Sequence, residues 1–316
     1  MSLRLTVRED AWRAHLDTVA RSFPGLVPVV KGNGYGFGRR WLAGEALRLG
    51  RPVAVGTVFE AVDLPGVAPL VVLTPTLTVP PGLAPDTIVT VGARHHLEAL
   101  ARAGWAGPVL VKVESAMRRY GRPPAEAVEL VTAARRAGLE VVGLSLHPPL
   151  AGTASEHASA IEVAITGVDP GLEVWVSHLD AAAYASLVER HAERSWRIRL
   201  GTALWHGDKS FLHLDATVLD VRPVRAGERA GYWLTAVPAD GSLVMVGAGS
   251  AHGVAPLPDG RSPFHFARRR LALLEPPHMH TSMLLVSDGG PVPAPGDRVD
   301  VQRPLTQTLV DEVVWT

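Results

Sequence analysis

Residues 26–38 read LVPVVKGNGYGFG, an apolar run that ends on Lys31 and falls directly into a glycine-rich loop carrying Tyr35. An amine at the end of a buried apolar segment loses hydration, which lowers its pKa and makes it a nucleophile toward carbonyl carbon, the chemistry of a Schiff base. The glycines at 32, 34, 36 and 38 let backbone approach a ligand closely, and Tyr35 offers a phenol to an anion. Glycine-rich turns are common; the position immediately after a lysine is what gives this one weight. Polar residues close other apolar runs as well. Lys112 and Glu114 end PVLVKVE, His147 ends EVVGLSLH, Ser177 and His178 end LEVWVSH, and Arg199 in RIRLGT stands just before Gly201 and Thr202. A single strand-end histidine or lysine is ordinarily a solvated rim group or a satisfied hydrogen-bonding partner. Five runs ending this way point to one shared site.

The elements that must position these residues are short runs rich in Val, Leu and Ile, bounded by Gly or Pro and separated by stretches of helical periodicity. There are eight of them, at 26–31, 52–58, 69–75, 87–91, 108–114, 140–147, 172–178 and 197–202. Helical spacing marks RRWLAGEALRLG, ARHHLEALARAG, PPAEAVELVTAARRAG, SEHASAIEVAITG and AAAYASLVERHAE, most ending on glycine. The connections around 59–68 and 75–86 are weaker and Pro-rich. Eight buried parallel strands alternating with helices over about 200 residues is the arithmetic of a (β/α)8 TIM barrel, an α/β fold whose active site lies at the C-terminal strand ends. The barrel is expected over residues 8–207. From 208 to 316 apolar and polar residues alternate between turn signals, predicting a separate, mostly antiparallel β-domain, with a helix only at FHFARRRLALLE. The segment 2–7, containing LRLTV, lies outside the eight-strand count and is a candidate extra strand of that β-domain.

Bulk composition narrows the partners. The 31 basic and 31 acidic side chains cancel, and no Lys/Arg block is long enough for a nucleic-acid or lipid surface. A neutral or zwitterionic small molecule is the expected partner. The absence of cysteine excludes disulfides and thiolate metal sites and fits a cytoplasmic location. MSLRLTVRED is unlike a signal peptide, and no apolar stretch approaches the roughly 18–20 residues that span a bilayer. A soluble protein is expected.

VVKGNGYGFG resembles the pyridoxal-phosphate lysine motif of the alanine racemases, VVKANAYGHG. Further collinear resemblances cover most of the chain. KVESAMRRYG (112–121) is similar to the family's K-x-D-T-G-M-x-R-L-G, and GLSLHPP (143–149) to its strand ending in histidine. IRLGTALWHG (198–207) is similar to V-R-x-G-I-A-x-Y-G, and VRAGERAGY (224–232) to a β-domain segment AGE-x-V-GY. The resemblance implies a pyridoxal 5'-phosphate-dependent amino-acid racemase, and a homodimer in which each β-domain completes its partner's site. It implies that Lys31 holds the cofactor as an internal aldimine and acts as one acid/base. It implies further that Tyr35 with the backbone amides of Gly201 and Thr202 would bind the phosphate, and that Arg199 would contact the pyridine nitrogen, limiting the ring as an electron sink. By the same resemblance His147 would pack against the ring face or contact its surroundings, and Arg119 would contact the cofactor's phenolic side and the substrate carboxylate.

The C-terminal half departs from the pattern. The family's GYADGYPR, taken as the source of the second base on the opposite substrate face, aligns with GSAHGVAP (249–256), placing Ser250 where a tyrosine is expected. A serine hydroxyl is too weak a base near neutral pH. His252, two residues on, would share a strand face with Ser250 and is the candidate substitute. HLDAAAY (178–184) lacks the serine of the family's NSAA, and TQTLVDEVVWT lacks an arginine- and tyrosine-containing segment. PPHMHTSMLLV (276–286) aligns with the family's S-M-D-Q strand or with a metal pair of related barrel enzymes, in which His278 and His280 would hold a divalent metal from one strand face. Three functions stay open: a racemase with a replaced second base, a metal-assisted D-amino-acid dehydratase or aldolase, and a non-catalytic pyridoxal-phosphate-binding protein.

Overall fold

The computed structural model describes residues 3–287 and 289–316. The chain divides into two compact units, one of residues 14–34 and 38–207, the other of the described residues up to 13, residues 35–37 and those from 208 onward. The N-terminal strand β1 (Leu3–Val7) is followed by helix α1 (Glu9–Ser22).

The first unit contains eight short strands: β2 (Leu26–Pro28), β3 (Val53–Val55), β4 (Leu70–Val72), β5 (Ile88–Val91), β6 (Val109–Lys112), β7 (Val141–Ser145), β8 (Glu173–Val176) and β9 (Trp196–Leu200). All neighbours pair in parallel in the order β2-β9-β8-β7-β6-β5-β4-β3, and a parallel bridge between Val29 and Ala54 closes the ring. The strands are almost continuous β-branched and leucine residues buried on both faces, as parallel strands covered by helices must be. Their helices are α2 (Arg39–Leu49), α3 (Val58–Val62), α4 (Arg94–Arg102), α5 (Pro124–Arg136), α6 (Ala154–Ile165), α7 (Ala181–Arg190) and α8 (Thr202–Trp205). Side chains fix several helix starts. Thr153 and Glu156 form a reciprocal capping box on α6, and Asp180 accepts the Ala183 N–H at the start of α7. The weak 59–68 region holds only the five-residue α3, capped by Thr57.

In the second unit a thirteen-residue strand, β10 (Leu212–Val224), is the spine. Antiparallel to it run β1, the strand Gly241–Val246 and the strand Arg298–Val301, while Glu312–Trp315 adds in parallel to β1. The helix expected at FHFARRRLALLE is absent. Phe264–Phe266, Arg269–Arg270 and Ala272–Leu273 are short antiparallel strands, turned by the positive φ of Ala267 (46°) and Arg268 (64°). Pairing with Val301 and Leu285 and burial of Phe264 override the helix propensity of the arginine- and leucine-rich stretch. The Tyr35–Phe37 segment belongs to this unit. Phe37 packs 5.1 Å from Trp12 and 6.2 Å from Trp315, between ring centroids.

Candidate active site

The ends of β2, β6, β7, β8 and β9 carry the polar residues expected of them. Lys31 follows Val30, whose N–H donates to the Ala54 carbonyl where the ring closes. Burial lowers the Lys31 pKa, Arg119 lowers it further, Glu60 opposes, and Arg199 adds to the lowering. Lys112, the last residue of β6, is 6 % exposed, and its Nζ lies 3.4 Å from the Ser145 hydroxyl at the end of β7. Burial first, then the positive fields of Arg199 and Arg119, hold this amine well below the usual lysine range.

Arg199 is the centre of the cluster. Its Nη1 donates to Ser145 Oγ at 2.6 Å, its Nε to the Val176 carbonyl at 3.2 Å, and its Nη2 to the carbonyls of Leu146 and Trp175. Those bonds use four of the five N–H groups of a guanidinium. Burial alone pushes Arg199 down to about 9. Among the described residues no carboxylate forms an ion pair with Lys112 or Arg199, so the buried Arg199 guanidinium has no paired carboxylate. A buried positive charge of this kind calls for an anionic ligand.

His147 packs against His178 with centroids 4.5 Å apart. Burial, followed by Arg199, Lys112, His178 and Arg119, pushes His147 down to about 2, so its imidazole is neutral across the physiological range. His178 has φ 60° and its Nδ1 lies 2.8 Å from the Pro148 carbonyl, while burial again lowers its pKa. Ser177 is buried beside it in sequence. Arg119 is exposed, its guanidinium 5.5 Å from the Tyr120 ring centroid. Gly201 and Thr202 open α8, where backbone N–H groups precede the first helical hydrogen bond. Tyr35 is buried at φ 55° in the 3-10 turn Gly34–Gly36.

In the C-terminal unit two sequence expectations fail. Ser250 and His252 do not share a strand; they form a 3-10 turn, Ser250–His252. His252 is buried, its Nδ1 accepting the Gly249 N–H at 3.1 Å and its Nε2 lying 3.3 Å from Asp311 Oδ1. Both ring nitrogens are engaged inside the unit, which commits the imidazole to holding the turn. His278 and His280 lie in a bend before the strand Ser282–Ser287, so strand alternation does not align them. The His278 Nε2 bonds Glu275, His280 sits edge-on to His252, and no group of three or more potential metal ligands gathers among the described residues.

What the sequence reading passed over is Tyr232, the last residue of VRAGERAGY. Its side chain is 81 % exposed, yet its place is fixed from below. Buried Glu275 accepts the N–H groups of Tyr232 at 2.8 Å and Trp233 at 3.3 Å and the Thr235 hydroxyl at 3.1 Å, and His278 stacks on the phenol ring at 4.1 Å. Burial raises the Glu275 pKa, but bonds from His278, Tyr232, Trp233 and Thr235 outweigh it and hold the carboxyl below its usual range. Gly231 permits this approach, since a Cβ there would lie 2.2 Å from the Glu275 carboxylate. The available sequence signal was the Gly-Tyr pair closing that motif. Ser145 and Glu60 were also missed, because a serine inside an apolar strand and a glutamate on a five-residue helix have no distinguishing local pattern.

Comparison with known proteins agrees with this geometry. A profile of the family described as "Alanine racemase, N-terminal domain" matches residues 7–208. The chain belongs to the alanine racemase family. An alanine racemase of Methylobacterium sp. (strain 4-46) is 30 % identical over 320 aligned residues, covering 91 % of this chain and 85 % of the relative. Among solved structures, alanine racemase from Clostridium difficile 630 superposes with a TM-score of 0.73 at 16 % identity, covering 100 % of this chain and 96 % of the other. Alanine racemase from Bartonella henselae with covalently bound pyridoxal phosphate gives a TM-score of 0.73 at 18 % identity, covering all of both chains. At those identities the two structures speak for the racemase fold, a parallel eight-stranded ring with a separate antiparallel β-domain. No described helix is long and apolar enough to cross a membrane.

Proposed function

We propose that this member of the alanine racemase family is a pyridoxal-phosphate-dependent amino-acid racemase that uses Lys31 on one face of the substrate and Tyr232 of a second copy of the chain on the other. The carrying observation is the strand-end cluster: a lysine amine of lowered pKa, with Arg199 fixed by backbone carbonyls and by the Ser145 hydroxyl that it shares with buried Lys112. These residues fit the cofactor. The positive field of Arg119 and Arg199, opposed at Lys31 by Glu60, suits a phosphate and a substrate carboxylate, Arg199 retains one N–H for a ring nitrogen, and neutral His147 presents an uncharged face for stacking. Lys31 would anchor the cofactor, the amides of Gly201 and Thr202 would take its phosphate, and Arg119 would hold the carboxylate.

When bound, the cofactor supplies an aldehyde that captures the amino group and a conjugated ring that acidifies the substrate Cα–H. The remaining work belongs to side chains. Lys31 holds or removes the Cα proton on its face, and its lowered pKa leaves a larger fraction of free amine near neutral pH. Arg199, fixed by Ser145 and three carbonyls, would hold the ring nitrogen by a hydrogen bond without delivering a full proton. Inversion requires a second proton carrier opposite Lys31, and Tyr232 supports that role better than His252. Its phenol is exposed and its backbone is pinned by Glu275, whereas His252 is enclosed in its own turn. Tyr232, Trp233, Leu234 and Met279 are each more than half exposed, an apolar group suited to burial against a second copy.

The decisive measurement incubates protein, pyridoxal phosphate and L- or D-amino acids in deuterated water. Both Cα exchange and inversion are expected, with borohydride fixing the cofactor on Lys31. Carbonyl products with no inversion, or reduction onto Lys112, would overturn the reading.

A further inference from the structure

Glu60 joins two strand ends of the barrel at the reactive lysine. It lies in α3, where its own N–H donates to the capping hydroxyl of Thr57 at 3.2 Å. One carboxylate oxygen accepts the Gly32 N–H at 3.0 Å, and the other accepts the Gly56 N–H at 2.7 Å. Gly32 follows Lys31 beyond β2, and Gly56 follows β3, so a single carboxylate ties together the two strands that close the ring. The fit is tight. A Cβ on Gly56 would stand 2.9 Å from Glu60 Oε2 and 3.4 Å from the Lys31 Cβ, which places carboxylate and lysine stem against the same backbone atom.

Arg39 completes the clamp from α2. Its Nη1 donates to the Gly32 carbonyl at 2.7 Å and lies 3.7 Å from Glu60 Oε1, while its Nη2 pairs with Asp63 at 2.6 Å. Both polar groups of the Gly32 peptide are therefore held by charged side chains. The other charged residues acting on Lys31 are the cations Arg119 and Arg199; Glu60 is the single carboxylate among them.

We infer that Glu60 is the positioning residue of the Lys31 amine, aiming the lysine stem through Gly32 and Gly56 and balancing the positive field of the cluster with its own charge. The inference rests on Lys31 being the reactive amine. Oε1 and Oε2 carry separate duties, which predicts that charge and reach can be dissociated by substitution. Removing the charge leaves the lysine with cationic neighbours alone, so its free-amine fraction rises at a given pH. Shortening the side chain keeps the charge but withdraws it from the two N–H groups.

The test uses the full-length apoprotein. Limiting acetic anhydride is applied across pH, modification of Lys31 is followed by peptide mass spectrometry, and pyridoxal phosphate uptake is titrated separately by absorbance. Glu60→Gln should shift the Lys31 labelling midpoint to lower pH, with labelling at pH 8 faster by about threefold or more, the equivalent of half a pKa unit. Glu60→Asp should keep the wild-type midpoint while weakening cofactor uptake about tenfold. A Glu60→Gln profile coincident with wild type, or an equal midpoint shift in Glu60→Asp, would overturn the electrostatic role, and unchanged uptake in Glu60→Asp would overturn the positioning role. If the wild type takes up no pyridoxal phosphate, the racemase reading fails while the labelling curves still decide the charge effect of Glu60.

Discussion

The strand ends of the barrel and the Tyr232 turn of the β-domain organise reactive groups by opposite means. In the barrel, Lys112, Ser145 and Arg199 are buried, and the arginine is locked by carbonyls that the sheet itself presents. In the β-domain the Tyr232 phenol is exposed and a buried carboxylate, Glu275, supplies the rigidity through backbone N–H groups. The first arrangement shifts pKa values by desolvation, as at Lys112 and His147. The second leaves the phenol in solvent. Desolvation tunes the barrel cluster within a single chain, whereas the proposed role of Tyr232 requires a second copy to exclude water from it.

The largest expected effect is at the lysine. Lys31→Ala should abolish exchange and inversion together, a loss of about 10⁴-fold or more, with no borohydride-fixed cofactor at position 31. Retained inversion would place the reactive amine elsewhere in the barrel. Tyr232→Phe should separate the two regions: inversion falls about 10²–10⁴-fold, while Cα exchange of the enantiomer served by Lys31 stays within a few-fold. His252→Ala should leave both rates near wild type and reduce folding stability by about 1–3 kcal/mol, because it removes a buried acceptor of the Gly249 N–H. The opposite outcome, inversion lost in His252→Ala and kept in Tyr232→Phe, would reverse the assignment.

A smaller effect reads the desolvation of the barrel mouth through pH. The folded pKa of His147, about 2, lies below its unfolded value, so the unfolded chain binds the extra proton first as pH falls. The resulting stability is fully present above about pH 6.5 and is lost on acidification, by at most about 1.4 kcal/mol per pH unit. Denaturant titrations of the apoprotein between pH 7 and 5 should show a shallower loss in His147→Gln than in wild type; identical slopes would mean that His147 is not desolvated. Smallest of all, Ser145→Ala should cost about 1–2 kcal/mol in the same titrations by removing an acceptor from Arg199 and Lys112. An unchanged denaturation midpoint would show that the guanidinium finds a substitute acceptor.

The eight barrel strands, Lys31 and its glycine loop, and the cluster of polar strand ends were legible in the sequence. Buried parallel strands write themselves as uninterrupted Val, Leu and Ile runs, and a charged residue closing such a run stands out against them. The β-domain was legible only as a class. FHFARRRLALLE carries helix-forming residues, and only its pairing with Val301 and Leu285 made it strand; GSAHGVAP could not disclose that Gly249 and Asp311 would enclose His252. Tyr232 is separated from Glu275 and His278 by more than forty residues along the chain, and Lys31 from Glu60 by nearly thirty. Local periodicity reports which face of an element is buried, but which distant carboxylate meets a given backbone N–H depends on chain crossings and loop closure. The strand-end lysine was therefore a property of the sequence, while the carboxylates that bind the backbone beside it and beside Tyr232 were decided by tertiary structure, because unpaired backbone donors and buried charge select partners by proximity in the folded chain.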